Sequence, residues 1–132
     1  MADKTKFELV APERLLASLD VDMVVVPGTE GDFGVMAGHA PVISTLRIGT
    51  IDVWNGGAIT DRIFVAGGFA EASAERVTVL ADEATRIADI DKTAVGKEIE
   101  GLRAKLGAAT DDGERRGIAA RIEIATAKLA AA

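Results

Sequence analysis

The hydrophobic pattern of this chain changes its period near residue 88. Before that point apolar residues alternate with polar ones or form short runs, which predicts β-strands. Beyond it they recur at steps of four, three and four residues, which predicts α-helices. The sequence therefore predicts a β-sandwich or β-barrel domain over residues 1–86 and a helical hairpin over residues 87–132.

Short strands separated by turn residues fill the first part. The predicted strands are residues 7–10, 19–26, 48–54, 62–66, 69–73 and 76–81. Residues 55–57 (Asn-Gly-Gly) predict a hairpin with a type I′ turn, because Asn and Gly tolerate positive φ angles. The glycine-rich residues 28–34 predict a surface turn. Strands at this spacing are typical of a sandwich or a barrel.

Two amphipathic segments make up the second part. Their apolar stripes are Val95, Ile99, Leu102 and Leu106 in the first, and Ile118, Ile122, Ala125 and Leu129 in the second. Asp89 or Asp91 is the predicted N-cap of the first helix, and Asp111 or Asp112 that of the second. Gly107 is the predicted end of the first helix. The stripes are thin and glycines interrupt both helices, so the hairpin is predicted to be weakly stable.

Composition excludes several classes of site. The chain has no cysteine, no tyrosine and one histidine, which excludes disulfides, thiol catalysis and a two-histidine metal site. The net charge of −6 disfavours nucleic acid as a partner. The N-terminal residues lack a signal peptide's apolar core and no apolar run has the length of a membrane span, so we expect a cytoplasmic protein. We also expect no cofactor.

A few charged residues are candidate functional groups. Glu30 and Asp32 suit a solvated turn or an acidic patch for a basic partner better than acid–base catalysis. His39 lacks a nearby Ser or acid and is predicted to be a structural or interface residue. Arg115 and Arg116 give the last helix a basic side, which is either solvated or a docking surface. No nucleophile–base pair is present, which favours a binding or coupling component over an enzyme.

Five sequence blocks follow one another along the chain. They are residues 7–13 (Phe-Glu-Leu-Val-Ala-Pro-Glu), 27–41 (Pro-Gly-Thr-Glu-Gly-Asp-Phe-Gly-Val-Met-Ala-Gly-His-Ala-Pro), 46–53 (Leu-Arg-Ile-Gly-Thr-Ile-Asp-Val), 67–71 (Gly-Gly-Phe-Ala-Glu) and 77–84 (Val-Thr-Val-Leu-Ala-Asp-Glu-Ala). In this order, and followed by a helical pair, they resemble the epsilon-subunit family of bacterial F-type ATP synthases. The second block, with Gly-x-x-Gly-x-x-Gly running into Gly-His-Ala-Pro, is the strongest. The resemblance covers nearly the whole chain.

The resemblance implies an α+β fold, with an N-terminal β-sandwich followed by a C-terminal antiparallel α-helical hairpin. It implies a non-catalytic rotor subunit that binds the gamma subunit and the c-ring and couples proton flow to ATP synthesis. By position in the motif, Glu30, Gly31 and Asp32 face the c-ring, and His39 faces gamma. It also implies a peripheral location on the cytoplasmic face of the bacterial inner membrane, with attachment only through the complex.

The hairpin has a second role in many members of this family. It extends towards the alpha and beta subunits and blocks ATP hydrolysis, and in some members it binds ATP through Ile/Leu-Asp-x-x-Arg-Ala. Here Ile90 and Asp91 match that motif, but Ala94 replaces the arginine and Val95 the alanine. Loss of the arginine removes a charged fork for phosphate, so we expect weak or absent ATP binding.

Two rival hypotheses belong to other functional classes. One is a free-standing β-sandwich binding module whose hairpin dimerises. The other is a small enzyme with an acidic site formed by Asp20, Asp22, Glu30 and Asp32. The first predicts self-association without a gamma complex, and the second predicts turnover that depends on Asp32.

Overall fold

The computed structural model describes residues 3–132, which divide into two compact units. The first ends at Arg86 and the second is Ile87–Ala132. The first unit contains ten strands in the described part: β1 Thr5–Ala11, β2 Arg14–Val21, β3 Met23–Gly28, β4 Gly31–Val35, β5 Val42–Thr45, β6 Gly49–Asn55, β7 Ala58–Val65, β8 Gly68–Ala72, β9 Arg76–Ala81 and β10 Ala84–Arg86. The second unit has a 3₁₀ turn at Ile87–Asp89, then α1 (Lys92–Ala108) and α2 (Asp112–Ala131).

The strands form two five-stranded sheets, which confirms the predicted sandwich. Sheet 1 has the order β2-β1-β9-β8-β5, and sheet 2 has the order β10-β7-β6-β3-β4. The β1–β9 pair is parallel, whereas the other ladders described are antiparallel. Sheet 1 thus joins the first strand of the chain to one formed near the end of the sandwich.

Alternation along the strands builds the core of the sandwich. In β1, Phe7 and Leu9 are fully buried, whereas Lys6 and Glu8 between and beside them are not. In β9, Val77 and Val79 are fully buried on the same pattern. Because successive side chains of a strand point to opposite faces, β1 and β9 each contribute one apolar face to the core.

The predicted strand over residues 19–26 is wrong, because the chain breaks at Asp22 into β2 and β3. These two strands lie in different sheets. The backbone nitrogen of Asp22 donates to Asn55 Oδ1 at 3.1 Å, and its carboxylate accepts from Gly56 N at 2.7 Å. The turn between β6 and β7 therefore holds the break in place, which no local hydrophobic pattern reveals.

The predicted surface turn over residues 28–34 is also wrong in part, because Gly31–Val35 forms edge strand β4. Gly34 pairs with Val25 and Phe33 with Val26. Glycine carries no hydrophobic signal, so the strand period is hidden in the sequence. The loop is reduced to the two residues Thr29 and Glu30.

The turn predicted at residues 55–57 is present with the expected backbone. Asn55 pairs with Ala58, and the two intervening glycines, Gly56 and Gly57, have φ angles of 63° and 79°. Positive φ at both central residues is typical of a type I′ turn. This turn also supplies the amide that binds Asp22.

The helical unit has the predicted caps and a small core. Asp91 caps α1 by accepting from Ala94 N at 3.1 Å, and Asp111 caps α2 by accepting from Glu114 N at 2.9 Å. α1 runs to Ala108, one residue past the predicted end. The buried side chains are Val95, Ile99 and Ala125, with Ile90 and Leu129 packed against them. The core is small, and the weak stability of the hairpin stays a prediction.

Candidate functional site

The first candidate surface is the acidic turn, which we define as residues 29–32. Gly28 pairs with Gly31 across the β3–β4 hairpin, so Thr29 and Glu30 occupy its tip. The tip and Asp32 are exposed. The turn lies beside a shallow groove of about 310 Å³ that Ile43, with 70% of its surface exposed, helps to line. An acidic tip beside an apolar side chain suits a protein partner better than a small substrate.

The two acids of this turn differ in their partners. The Asp32 carboxylate forms an ion pair with the guanidinium of Arg47. Glu30 has no hydrogen bond or ion pair to any residue within 3–132. The turn therefore carries one carboxylate paired within the chain and one free carboxylate, and contact of these acids with a basic partner stays a prediction.

His39 lies in a loop, residues 36–41, that backbone hydrogen bonds hold in place. Its backbone nitrogen donates to Met36 O at 3.2 Å, and Gly38 N donates to Ala74 O at 2.8 Å. The half-buried imidazole donates through Nδ1 to the carbonyl oxygen of Ala40, since a carbonyl only accepts. The histidine thus has a structural bond, and the Ala74 contact places its loop beside the β8–β9 turn.

A third surface, which the sequence analysis missed, lies on the outer face of sheet 1. Strand register places Val10 beside Leu15, Val10 beside Leu80, and Leu80 beside Phe69. We call these four residues the apolar row. Leu15, Phe69 and Leu80 are 58%, 41% and 40% exposed. Contiguous exposed apolar side chains mark interaction surfaces.

The sequence does carry a signal for this apolar row. In β9, buried Val77, Val79 and Ala81 leave Leu80 on the opposite face of the strand. In β8, buried Ala70 likewise leaves Phe69 outside. An apolar residue of the wrong parity in a strand with one buried face indicates a second, external contact.

The hairpin arginines are only partly available to a partner. Arg115 Nη1 donates to Leu106 O at 2.7 Å and to Ala109 O at 3.0 Å, which caps the end of α1. Arg121 pairs with Glu98 across the hairpin at 3.0 Å. Arg116 is exposed on α2. The last helix therefore offers fewer unpaired basic side chains to a partner than its sequence indicates.

The residues that match the ATP motif have structural contacts instead. The Asp91 carboxylate caps α1, and Ile90 packs against the core of the hairpin. Ala94, at the position of the motif's arginine, is exposed. Asp91 and Ile90 thus have structural contacts within the hairpin.

The acidic residues of the enzyme hypothesis do not converge. Asp22 and Glu30 lie before and after strand β3, which spans six residues, or about 20 Å at the rise of an extended strand. Asp20 belongs to β2 in the other sheet, and Asp32 is paired with Arg47. Within residues 3–132 no group of three or more His, Asp or Glu side chains is arranged to hold a metal ion.

A family model and several relatives match this chain. Residues 4–87 match the model described as the ATP synthase, Delta/Epsilon chain, beta-sandwich domain. The ATP synthase epsilon chain of Rhodospirillum rubrum is 53% identical over 131 residues, covering 99% of this chain and 98% of the relative. That of Parvibaculum lavamentivorans is 51% identical over 123 residues, covering 93% of both chains.

Solved structures of mitochondrial ATP synthases contain similar chains. One in the Euglena gracilis OSCP/F1/c-ring assembly has a TM-score of 0.80 and 26% identity, covering 99% of this chain and 82% of that one. One in the Tetrahymena thermophila central stalk and c-ring has a TM-score of 0.58 and 12% identity, covering 97% and 98%, a likeness of fold alone. Among residues 3–132, neither helix has both the length and the apolar character needed to span a bilayer.

Proposed function

This chain belongs to the ATP synthase delta/epsilon chain family, and we propose that it acts as a non-catalytic rotor subunit of the central stalk. In this role it joins the gamma subunit to the c-ring and couples proton translocation to ATP synthesis. The observation that carries the proposal is the relationship to ATP synthase epsilon chains across almost the full length of the chain. The alternative of a free-standing, self-associating module is not favoured by that relationship.

In this proposal the gamma subunit contacts the apolar row and the His39 loop. The exposed apolar area of the row supports a protein contact of this kind, because covering it removes apolar surface from water. The His39 loop is tied to Ala74, between the two strands that carry Phe69 and Leu80. Strand register places the turn of Ala74 at the opposite end of β8 and β9 from Phe69 and Leu80, so the loop and the apolar row are two separate contacts of this proposal.

In this proposal the c-ring contacts the acidic turn formed by Thr29, Glu30, Gly31 and Asp32. The free carboxylate of Glu30 supports attraction to a basic loop of the ring, since opposite charges at an exposed contact mainly set orientation and association rate. The protein then reaches the cytoplasmic face of the bacterial inner membrane only through the complex.

The helical hairpin is assigned a regulatory role in which it contacts the alpha and beta subunits and restrains ATP hydrolysis. Its core of three buried side chains supports a low free energy of opening. Arg116 is the basic residue that this role would use first, since Arg115 also caps α1. ATP is not part of the proposal, because the matching residues Ile90 and Asp91 lack the motif's arginine.

The test uses membranes whose ATP synthase has been stripped of this subunit. Adding the full chain should restore proton-driven ATP synthesis, and a chain that ends after Ala88 should restore it as well. The shorter chain should also permit several-fold faster hydrolysis if the hairpin is a brake. Equal rates of hydrolysis with both chains would contradict the inhibitory role of the hairpin but not the rotor function. Failure of the full chain to bind would contradict the rotor function.

A further inference from the structure

Arg47 contacts the acidic turn from the connection between β5 and β6. Its Nη1 donates to the carbonyl oxygen of Gly28 at 2.6 Å, and its Nη2 donates to the Asp32 carboxylate. One guanidinium therefore holds both sides of the β3–β4 hairpin, at the last residue of β3 and the second residue of β4. A planar guanidinium that bonds two acceptors fixes their relative position.

Backbone bonds hold the segment of Arg47 against β3 independently of its side chain. Arg47 N donates to Pro27 O and Thr29 N donates to Thr45 O, both at 3.0 Å. The Oγ1 atoms of Thr29 and Thr45 are 2.9 Å apart. The Arg47 side chain thus extends from a fixed point towards the turn.

Two glycines let the turn approach this segment closely. A Cβ atom on Gly28 would lie 2.8 Å from the Gly31 carbonyl oxygen and 3.0 Å from Ser44 Oγ. Gly31 has a φ of 134°, which side-chain-bearing residues rarely adopt. Glycine permits this conformation without enforcing it, so bonds from elsewhere must select it. Arg47 bonds to Gly28 and Asp32, on either side of the turn.

Because of this ion pair, the two carboxylates of the turn differ in their availability to a partner. Asp32 is paired with Arg47, whereas Glu30 has no partner among the residues that the structure describes. We propose that Arg47 is a positioning residue for the c-ring contact: it fixes the acidic turn and pairs with Asp32, so that Glu30 is the carboxylate offered to a basic partner loop. This inference rests on the proposed function.

The first test compares variants at Arg47 by two measurements on the full chain. One is its affinity for the stripped ATP synthase membranes, and the other is hydrogen exchange of the amides at residues 29–31 in the free chain. Arg47→Ala should weaken binding about fivefold and speed exchange about tenfold, with Arg47→Lys between it and the native chain. Arg62→Ala is the matched control, because that exposed guanidinium pairs with Asp52 at 3.0 Å on sheet 2. It should change neither measurement.

The second test separates the two carboxylates by substitutions of equal charge change. Glu30→Gln should weaken binding about fivefold at low salt, lose this effect at high salt, and leave turn exchange unchanged. Asp32→Asn should speed turn exchange as Arg47→Ala does. The double variant of Arg47 and Asp32 should lose no more affinity than Arg47→Ala alone, since both act through one contact.

Three results would overturn the role of Arg47. They are native exchange in Arg47→Ala, native affinity in Arg47→Ala, and additive losses in the double variant with Asp32. If the native chain itself does not bind the stripped membranes, the proposed function fails instead. The exchange measurements on the free chain still decide in that case whether Arg47 fixes the turn.

Discussion

The proposed contact between the apolar row and the gamma subunit gives a quantitative prediction for affinity. Leu15, Phe69 and Leu80 keep 58%, 41% and 40% of their surface exposed. Full burial of such a side chain is worth about 1.5–3 kcal/mol, so covering the exposed half contributes roughly 1 kcal/mol each. Replacing all three by threonine, a residue that suits strands, should cost about 3 kcal/mol of binding, or about 100-fold in Kd.

The assay is calorimetric titration of the gamma subunit with each variant, after thermal unfolding has checked that it folds. Ile59→Thr is the matched control, since Ile59 is 41% exposed but lies on β7 in sheet 2. It should bind as the native chain does. The reasoning is refuted if the triple variant binds within twofold of the native chain, or if Ile59→Thr loses as much affinity. Each single threonine variant should still weaken binding about fivefold.

Four further predictions concern the fold and the hairpin. Gly68→Ala places a Cβ 2.1 Å from Leu80 O at a φ of 111°. It should lower the free energy of unfolding, measured in urea, by about 3 kcal/mol or more, against about 1 kcal/mol for Gly57→Ala, whose Cβ meets no obstruction. Equal losses in the two variants would contradict this reasoning. Asp111→Ala should lose an N-cap worth about 1 kcal/mol and speed amide exchange in the first turn of α2, whereas native exchange would exclude the cap. A chain ending after Ala88 should keep a cooperative unfolding transition, because the sandwich core lies within the first unit; its loss would show dependence on the hairpin. ATP should show no micromolar binding in calorimetry, and a micromolar Kd would refute the interpretation of the degenerate motif.

Local patterns in the sequence were sufficient for much of the fold. Alternation predicted β1 and β9, because one buried face leaves a period of two in residues such as Phe7 and Leu9. The helices followed from their apolar stripes, and Asp91 and Asp111 were both among the predicted caps. In each case the information lies within a few neighbouring residues.

The remaining features depend on contacts between residues far apart in the chain. The break at Asp22 is held by Asn55 and Gly56, so the strand around it looks continuous in sequence. Asp32 looks solvated until the fold brings Arg47 to it. Short edge strands such as β4 and β5 have too few apolar residues to establish a period. The apolar row becomes visible only when strand register is known.

The parallel β1–β9 pair has a consequence for biosynthesis. A ribosome releases β1 first, but its neighbour β9 follows only after most of the sandwich has been made. Pairings of such large sequence separation require costly loop closure and slow the folding of a domain. Val10 and Leu80 become neighbours only when β1 and β9 pair, so a chain in which these strands have not paired lacks a continuous apolar row. If gamma binds this row, only copies with a completed sandwich bind gamma and are incorporated into the rotor.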